Sequence, residues 1–210
     1  MHRPSPAAIL IPVRSLEGAK SRLGAVLDAE ERRELVERLL RRTVAAALTT
    51  PGAGRVVVVS PDADVLDLAA AAGAEGLRQT TSGLNQGLVE AREVLLAEGI
   101  ARLLVVPGDL PAVTPDALAA LLRAADNATS PVVVLAPDRH GRGTNALLLD
   151  PPGVIEPDFG GDSRFAHKRL ASLEGAAYRE VFDDALALDL DTPDDLLLAE
   201  AIRPEVLRAG

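Results

Sequence analysis

The chain of 210 residues contains no cysteine and no tryptophan, and only one tyrosine and three phenylalanines. Without cysteine there is no disulfide framework, no thiolate zinc site and no thiol nucleophile. With aromatics at 2%, the platforms on which single-stranded bases stack are nearly absent. Positive charge is also in short supply. Lys and Arg number 22 against 31 Asp and Glu, a net charge of -9, and this argues against a nucleic-acid surface. No apolar run approaches the roughly 20 residues that span a bilayer. The first residues, Met1-His2-Arg3-Pro4-Ser5-Pro6, lead straight into a strand-like segment rather than the apolar stretch of a signal peptide. The expectation is a soluble cytoplasmic protein with no nucleic-acid and no membrane partner.

Ala, Leu and Val carry most of the 48% hydrophobic content. The length suits one domain, residues 1–210, with a substantial core. Ala7-Ala8-Ile9-Leu10-Ile11-Pro12-Val13 reads as a buried strand, and residues 28–50 as a long helix with Leu35, Val36, Leu39, Leu40 and Val44 as its apolar stripe. Further strands are predicted at 56–59, 103–106, 132–135 and 145–149. Helices are predicted at 63–72, 84–98, 163–174, from Thr114-Pro115 and from Thr192-Pro193. Thr192, followed three residues on by Asp195, is a capping-box-like start. Buried strands alternating with amphipathic helices predict a three-layer α/β/α fold with a mostly parallel central sheet. Residues 139–182 are less regular and leave room for an antiparallel strand and substrate loops.

Several apolar runs stop at a carboxylate. Leu103-Leu104-Val105-Val106-Pro107-Gly108-Asp109 breaks at Pro-Gly and delivers Asp109. Leu186-Ala187-Leu188-Asp189-Leu190-Asp191 alternates apolar and acidic residues. Read as a strand, it projects Asp189 and Asp191 from one face. In a parallel sheet all three acids would gather at the C-terminal edge, where ligands of open α/β sheets bind. Clustered carboxylates repel unless a cation sits between them, and oxygen ligands select Mg²⁺ or a similar ion. Each acid has a plainer reading, Asp109 as a turn cap and Asp189 and Asp191 as part of a helix start.

The loop after the first strand lacks the phosphate-binding patterns GxxxxGK[ST] and GxGxxG. It does place Lys20 and Arg22 where a triphosphate would lie, although on their own they read as solvated charges. Gly143-Thr144-Asn145 and Gly160-Gly161-Asp162-Ser163 are either flexible surface loops or an anion cradle, since glycine lets backbone N–H groups come close and Ser163 adds a hydroxyl. Arg139, His140, Arg142, Arg164, His167 and Lys168 give that region a basic neighbourhood able to attract a small anion, and the two histidines read as solvated. No Ser-His-Asp order or GxSxG elbow is present.

Taken in order, several segments resemble one family. They are Lys20-Ser21-Arg22-Leu23, Val57-Val58-Val59-Ser60, Leu84-Asn85-Gln86-Gly87-Leu88 and Pro107-Gly108-Asp109-Leu110-Pro111. They continue with Ala136-Pro137-Asp138-Arg139, Gly143-Thr144-Asn145-Ala146-Leu147, Phe159-Gly160 with Ser163 and His167, and Asp189-Leu190-Asp191-Thr192-Pro193. This is similar to the 2-phospho-L-lactate / phosphoenolpyruvate guanylyltransferase family of coenzyme F-420 biosynthesis, over nearly the whole chain. One departure is that His140 and Arg142 interrupt a stretch before Gly-Thr-Asn that is nearly all glycine in that family.

The resemblance implies a fold like that of molybdenum-cofactor guanylyltransferases. It also implies Mg²⁺-dependent transfer of GMP from GTP to a three-carbon phosphoacid (phosphoenolpyruvate, 2-phospho-L-lactate or 3-phosphoglycerate), with a downstream transferase of the deazaflavin pathway as a possible partner; the composition, rich in Ala and Arg, favours phosphoenolpyruvate, with 2-phospho-L-lactate next. On it, Lys20 and Asp109 are catalytic, and Asp109, Asp189 and Asp191 hold Mg²⁺. Thr144, Asn145, Gly160, Gly161 and Ser163 bind the acceptor acid. Pro12, Val13, Arg14, Lys20, Arg22, Ser60, Asn85, Pro107 and Gly108 are the nucleotide candidates, with the backbone near Pro12-Val13 and the Asn85 side chain as readers of guanine. The alternatives are a transferase of the same fold acting on a sugar phosphate or a molybdopterin-like acceptor, and a non-catalytic nucleotide-binding module.

Overall fold

The structure, a computed structural model, describes residues 5–202 and Pro204. Residues 1–4, expected to lead directly into the first strand, lie outside the described residues. Among the described residues seven strands form one sheet, β1 (Ala7–Pro12), β2 (Ala53–Ser60), β3 (Glu75–Arg78), β4 (Leu103–Val105), β5 (Val132–Pro137), β6 (Thr144–Asp150) and β7 (Ala177–Glu180). Their order is β3-β2-β1-β4-β6-β5-β7. Every pairing is parallel except those of β6, which runs antiparallel to both β4 and β5. That is the antiparallel strand expected within 139–182.

Helices cover both faces. They are α1 (Ala29–Leu48), α2 (Ala63–Ala71), α3 (Leu84–Ala97), α4 (Pro115–Asp126), α5 (Ser163–Leu173), the single turn α6 (Asp184–Ala187) and α7 (Pro193–Ile202). The period of two along each strand divides the core. Ile9, Ile11, Val56, Val58 and Leu104 pack with the buried residues of α1 and α4, such as Leu40 and Leu118. Ala8, Leu10, Val57, Val59 and Leu103 pack with Leu88 and Leu95 of α3 and Ala171 of α5. Strands buried on both faces read as unbroken apolar runs, which is why these five central strands were legible. The helix α1 opens with a reciprocal capping box, Glu31 N–H to Asp28 at 2.9 Å and Asp28 N–H to Glu31 at 2.7 Å.

Two expectations need correction. Residues 186–191 are not a strand. Residues 184–187 wind into the single turn α6, and the chain then runs extended, tied to the sheet region by Leu190 N–H on the Asp109 carbonyl at 3.2 Å. The edge strands β3 and β7 were not anticipated. Both are partly exposed and polar, Glu-Gly-Leu-Arg and Ala-Tyr-Arg-Glu, so neither carries the apolar run of a central strand.

A third cluster brings the two ends of the chain together. Leu23, in a 3-10 turn at Ser21–Ala25, packs with Leu35 and Leu39 of α1, with Leu188 and Leu190, and with Ala199 of α7. It fixes the first loop beside the segment that carries Asp189 and Asp191.

The loop between β3 and α3 hangs on one carboxylate. Glu90 accepts the Thr80 hydroxyl at 2.7 Å, the Thr81 hydroxyl at 2.9 Å and both backbone amides at 3.1 Å. The Thr80 hydroxyl and these partners hold its pKa down to about 2 from the usual 4.5. A depressed carboxylate stabilises the fold above its unfolded pKa, and the contribution is lost as pH falls through the folded one. Glu90→Gln is therefore expected to melt below the wild type at pH 7, with the gap closing between pH 4.5 and about 2. Thermal melts of both proteins across that interval check it, and a gap unchanged at pH 2 would contradict it.

Candidate active site

A cleft of about 790 Å³ opens at the C-terminal ends of β1 and β4. Its floor is the turn Pro107-Gly108-Asp109. A Cβ on Gly108 would lie 2.9 Å from the Val13 side chain and 3.5 Å from that of Ile11. Only glycine lets this turn lie against β1, and that approach delivers Asp109 to the cleft.

Opposite stands Lys20. Its backbone is left-handed, φ 51° and ψ 41°, the only non-glycine residue with positive φ among the described residues. This conformation costs an L-residue roughly 1–2 kcal/mol, and the lysine held in it makes two ion pairs. Its Nζ donates to Asp109 Oδ2 at 2.6 Å and to Asp191 Oδ1 at 2.7 Å, with 11% of the side chain exposed. Burial by itself would lower the Lys20 pKa, but the charges of Asp109 and Asp191 together raise it well above the usual value. Asp189 is pushed up, first by burial and then by the negative charge of Asp109. The second oxygen of Asp109, Oδ1, is buried without a hydrogen-bond partner.

Asp191 is placed by the start of α7. Asp195 accepts the Asp191 amide at 3.1 Å and both the amide and hydroxyl of Thr192 at 2.8 Å, while its own amide donates back to the Thr192 hydroxyl. The capping box read from Thr192 and Asp195 is thus formed. Burial pushes the Asp195 carboxyl up, but the Thr192 hydroxyl and the amides outweigh it and hold it low. Arg139 pairs with Asp195 from the loop after β5, a link with no local signal in the sequence.

Of the sequence-predicted residues, Pro12, Val13, Arg14, Lys20, Arg22, Pro107, Gly108, Asp109 and Asp191 line this cleft. The others are placed differently. Ser60 is buried, and its hydroxyl accepts the Asp62 amide at 3.0 Å. Asp62 in turn accepts the Ser15 hydroxyl at 2.8 Å and the Leu16 amide at 3.1 Å, propping the first loop. The Asn85 amide, expected to face a nucleotide, is engaged at both ends by Phe159. Its Nδ2 donates to the Phe159 carbonyl at 3.0 Å, and its Oδ1 accepts the Phe159 amide at 2.8 Å. Asn85 therefore clamps a wall of the cleft. The Val13 N–H is bonded to the Val59 carbonyl at 3.0 Å, so it offers no donor to a base.

The residues expected to hold an acceptor, Thr144, Asn145, Gly160, Gly161 and Ser163, are not among those that line the cleft. Asn145 donates to the carbonyls of Leu186 at 2.9 Å and Ala187 at 3.1 Å, anchoring the turn ahead of Asp189. Ser163 is buried at the start of α5, its amide on the Gly160 carbonyl at 3.1 Å. A Cβ at Gly160 or Gly161 would meet nothing within 4 Å, so no protein contact requires glycine at either position.

The basic neighbourhood is largely neutralised. Arg139 pairs with Asp195, Arg142 with Asp162 at 2.7 Å and Arg164 with Glu180 at 2.8 Å. His167, read as solvated, is fully buried beside Thr144, and burial pushes its pKa down to about 4. The spacing of Ser163 and His167, one helical turn apart, was the available signal that both face inward.

The description "Guanylyl transferase CofC like" matches residues 7–202. The chain belongs to that family. Two curated relatives are named phosphoenolpyruvate guanylyltransferase. One, from Rubrobacter xylanophilus, is 47% identical over 91% of this chain and 92% of its own. The other, from Sphaerobacter thermophilus, is 44% identical over 89% of each. Among solved structures, one described as a putative nucleotide-diphospho-sugar transferase from Desulfovibrio desulfuricans G20 superposes with a TM-score of 0.79 at 16% identity, covering 96% of this chain and 89% of its own. At that identity it speaks for the fold.

For a guanylyl transferase CofC-like chain the expected metal site can be tested on its donors. Among the described residues no three acids or histidines form a ready cation cage, a correction to the picture of three carboxylates closing on one ion. The Lys20 ammonium bridges Asp109 and Asp191. Even so, the donor set suits Mg²⁺, which takes hard oxygens and is commonly held by one or two carboxylates together with substrate phosphates. The unpartnered Asp109 Oδ1 is such an oxygen.

Proposed function

We propose that this protein transfers GMP from GTP to the phosphate of a three-carbon phosphoacid in coenzyme F-420 biosynthesis, in the cytoplasm, with phosphoenolpyruvate as the preferred acid. The observation that carries this reading is the convergence of Lys20, Asp109 and Asp191 in one cleft at the C-terminal sheet edge. The relatives named phosphoenolpyruvate guanylyltransferase support the choice of nucleotide and acid. The cleft volume of about 790 Å³ suits a nucleotide-sized ligand.

An oxygen of the acceptor phosphate forms a bond to the α-phosphorus of GTP, the bond from that phosphorus to the bridging oxygen breaks, and pyrophosphate leaves with the electron pair. The acceptor is already anionic, so no strong general base is needed. The obstacle is bringing one anion onto another. Asp109 and Asp191 would hold Mg²⁺ together with the substrate phosphates, and the ion would screen those phosphates and stabilise charge on the leaving pyrophosphate. Lys20 adds a fixed positive charge from a preorganised position. Pro12, Val13, Arg14, Arg22, Pro107 and Gly108 form the nucleotide wall in this reading. Thr144, Asn145, Gly160, Gly161 and Ser163 orient the acid in line, which supplies much of the remaining rate.

The deciding experiment is pyrophosphate release from GTP and Mg²⁺ with phosphoenolpyruvate, 2-phospho-L-lactate or 3-phosphoglycerate. The next transferase of the pathway and its deazaflavin acceptor are included to draw off the product. Release with phosphoenolpyruvate, abolished by chelation, is expected. No release with any acid from folded protein that binds GTP would turn the reading to a sugar-phosphate or molybdopterin-like acceptor. Nucleotide binding indifferent to Mg²⁺, with no pyrophosphate from any acceptor, would turn it to a non-catalytic module.

A further inference from the structure

We propose that His167 is a positioning residue that locks the buried Thr144 hydroxyl as a donor, its proton directed away from the ring, to an oxyanion of the acceptor acid. The proposal rests on the reading above in which Thr144 touches that acid. It starts from the hydrogen bonds of one ring. The Asp158 backbone N–H donates to His167 Nε2 at 3.0 Å. An amide N–H only donates, so Nε2 carries the lone pair. The ring is fully buried, and that burial keeps it neutral at ordinary pH. Its one proton is therefore on Nδ1.

Nδ1 lies 3.1 Å from the Thr144 hydroxyl oxygen. With the proton on Nδ1, the ring donates and the hydroxyl accepts. The hydroxyl proton must then point elsewhere, and among the described residues Thr144 Oγ1 makes no other hydrogen bond. With the opposite tautomer the hydroxyl would donate its hydrogen bond to the ring and leave only lone pairs for a ligand, which repel a carboxylate or phosphate oxygen. The amide of Asp158 thus decides the sign of what Thr144 presents. The same ring packs edge-on against Phe159, centroids 5.2 Å apart at 72°, and Phe159 is a wall of the cleft just ahead of Gly160 and Gly161. One buried imidazole therefore sets the donor on β6 and supports the loop that carries Phe159.

The test separates the two ring nitrogens. His167→Gln places an amide near Nε2 and keeps an acceptor for Asp158, but loses the Nδ1 donor. His167→Asn places an amide near Nδ1 and keeps that donor. Initial rates are read with phosphoenolpyruvate varied at saturating GTP, and the reverse. Thr144→Val and His167→Gln are each expected to raise the KM for the acid roughly 10- to 100-fold, the range for loss of a hydrogen bond to a charged group. The KM for GTP should stay within about twofold, and His167→Asn should recover most of the loss. The double variant should be no worse than Thr144→Val, because the two residues act through one hydroxyl.

Equal behaviour of the Gln and Asn variants overturns the positioning role. A Thr144→Val protein with unchanged KM for the acid instead removes Thr144 from the acceptor site, and the proposal with it. Nitrogen NMR of imidazole-labelled wild-type protein reads the tautomer without any substitution. Protonation at Nε2 there would overturn the proposal even if the Gln variant failed to fold.

Discussion

Asp109→Asn and Asp191→Asn are each expected to lower turnover by about two orders of magnitude or more, on the scale seen when a preorganised charge that stabilises a transition state is removed. The amide is nearly the same size as the carboxylate, so the cleft keeps its shape while one negative charge disappears. In the resting protein each acid holds one side of Lys20, at 2.6 and 2.7 Å. In the proposed reaction the same acids would hold Mg²⁺ against the triphosphate. Asparagine can still accept a hydrogen bond from the ammonium but binds a divalent cation far more weakly. The loss should therefore deepen as Mg²⁺ becomes limiting. Steady-state rates over a Mg²⁺ titration check this, with melting curves to show that the fold is intact. Near wild-type turnover in both variants at limiting Mg²⁺ would remove these acids from the metal site.

Lys20→Met is the second large effect. The expected loss is about 10²- to 10³-fold in turnover, the cost of deleting one preorganised cation near developing phosphate charge. It carries a distinctive stability signature. Without the ammonium, Asp109 and Asp191 face each other with no counter-charge, and Asp109 already has one buried oxygen unpartnered. The variant should melt below the wild type in chelator, and Mg²⁺ should raise its melting temperature more than it raises that of the wild type. The pH dependence has a definite sign. A lysine whose folded pKa is raised contributes stability in full below its unfolded pKa and loses it only as pH rises through the folded one. The unfolded value is 10.5, so the gap between the two proteins should be flat from roughly pH 6 to 9. A gap that closes within that window, or an equal Mg²⁺ response in both proteins, would show that Lys20 does not compensate the acid pair.

Much of the architecture was legible because burial on two faces leaves a strong trace. Ile9, Val57 and Leu104 sit in runs that only a central strand explains, and the stripe from Leu35 to Val44 marks α1 unambiguously. The edge strands β3 and β7 left no such trace, since a strand that is half solvated can be built from Glu, Gly, Tyr and Arg. The alternation at 186–191 was misleading for a related reason. Leu186, Leu188 and Leu190 are buried, but Leu188 and Leu190 are covered by the first loop, α1 and α7 rather than by a sheet neighbour. Period two records a side of the chain that faces the core and says nothing of what its backbone bonds to.

The candidate site divides along the same line. Pro-Gly before Asp109 and Thr-x-x-Asp around Asp191 are local devices, readable where they stand. The bridge that Lys20 makes between those acids, the Asn85 clamp on Phe159 and the pairing of Arg139 with Asp195 join residues far apart in sequence, and no local pattern announces them. Ser60 and Asn85 are nucleotide candidates only through the family resemblance, and nothing in the local sequence names their partners. The fold supplies partners for both, and this is the common fate of a buried polar group.

Lys20 meets Asp109 across 89 positions and Asp191 across 171. A ribosome making this protein will have released most of β1, β2 and β4 well before Asp191 leaves the exit tunnel. The nascent chain can form much of its sheet early, yet its lysine stays half-countered until Asp191 has emerged as well, long after Asp109. Its cleft is thus completed by the later of its two acids, 171 positions after the lysine that joins them.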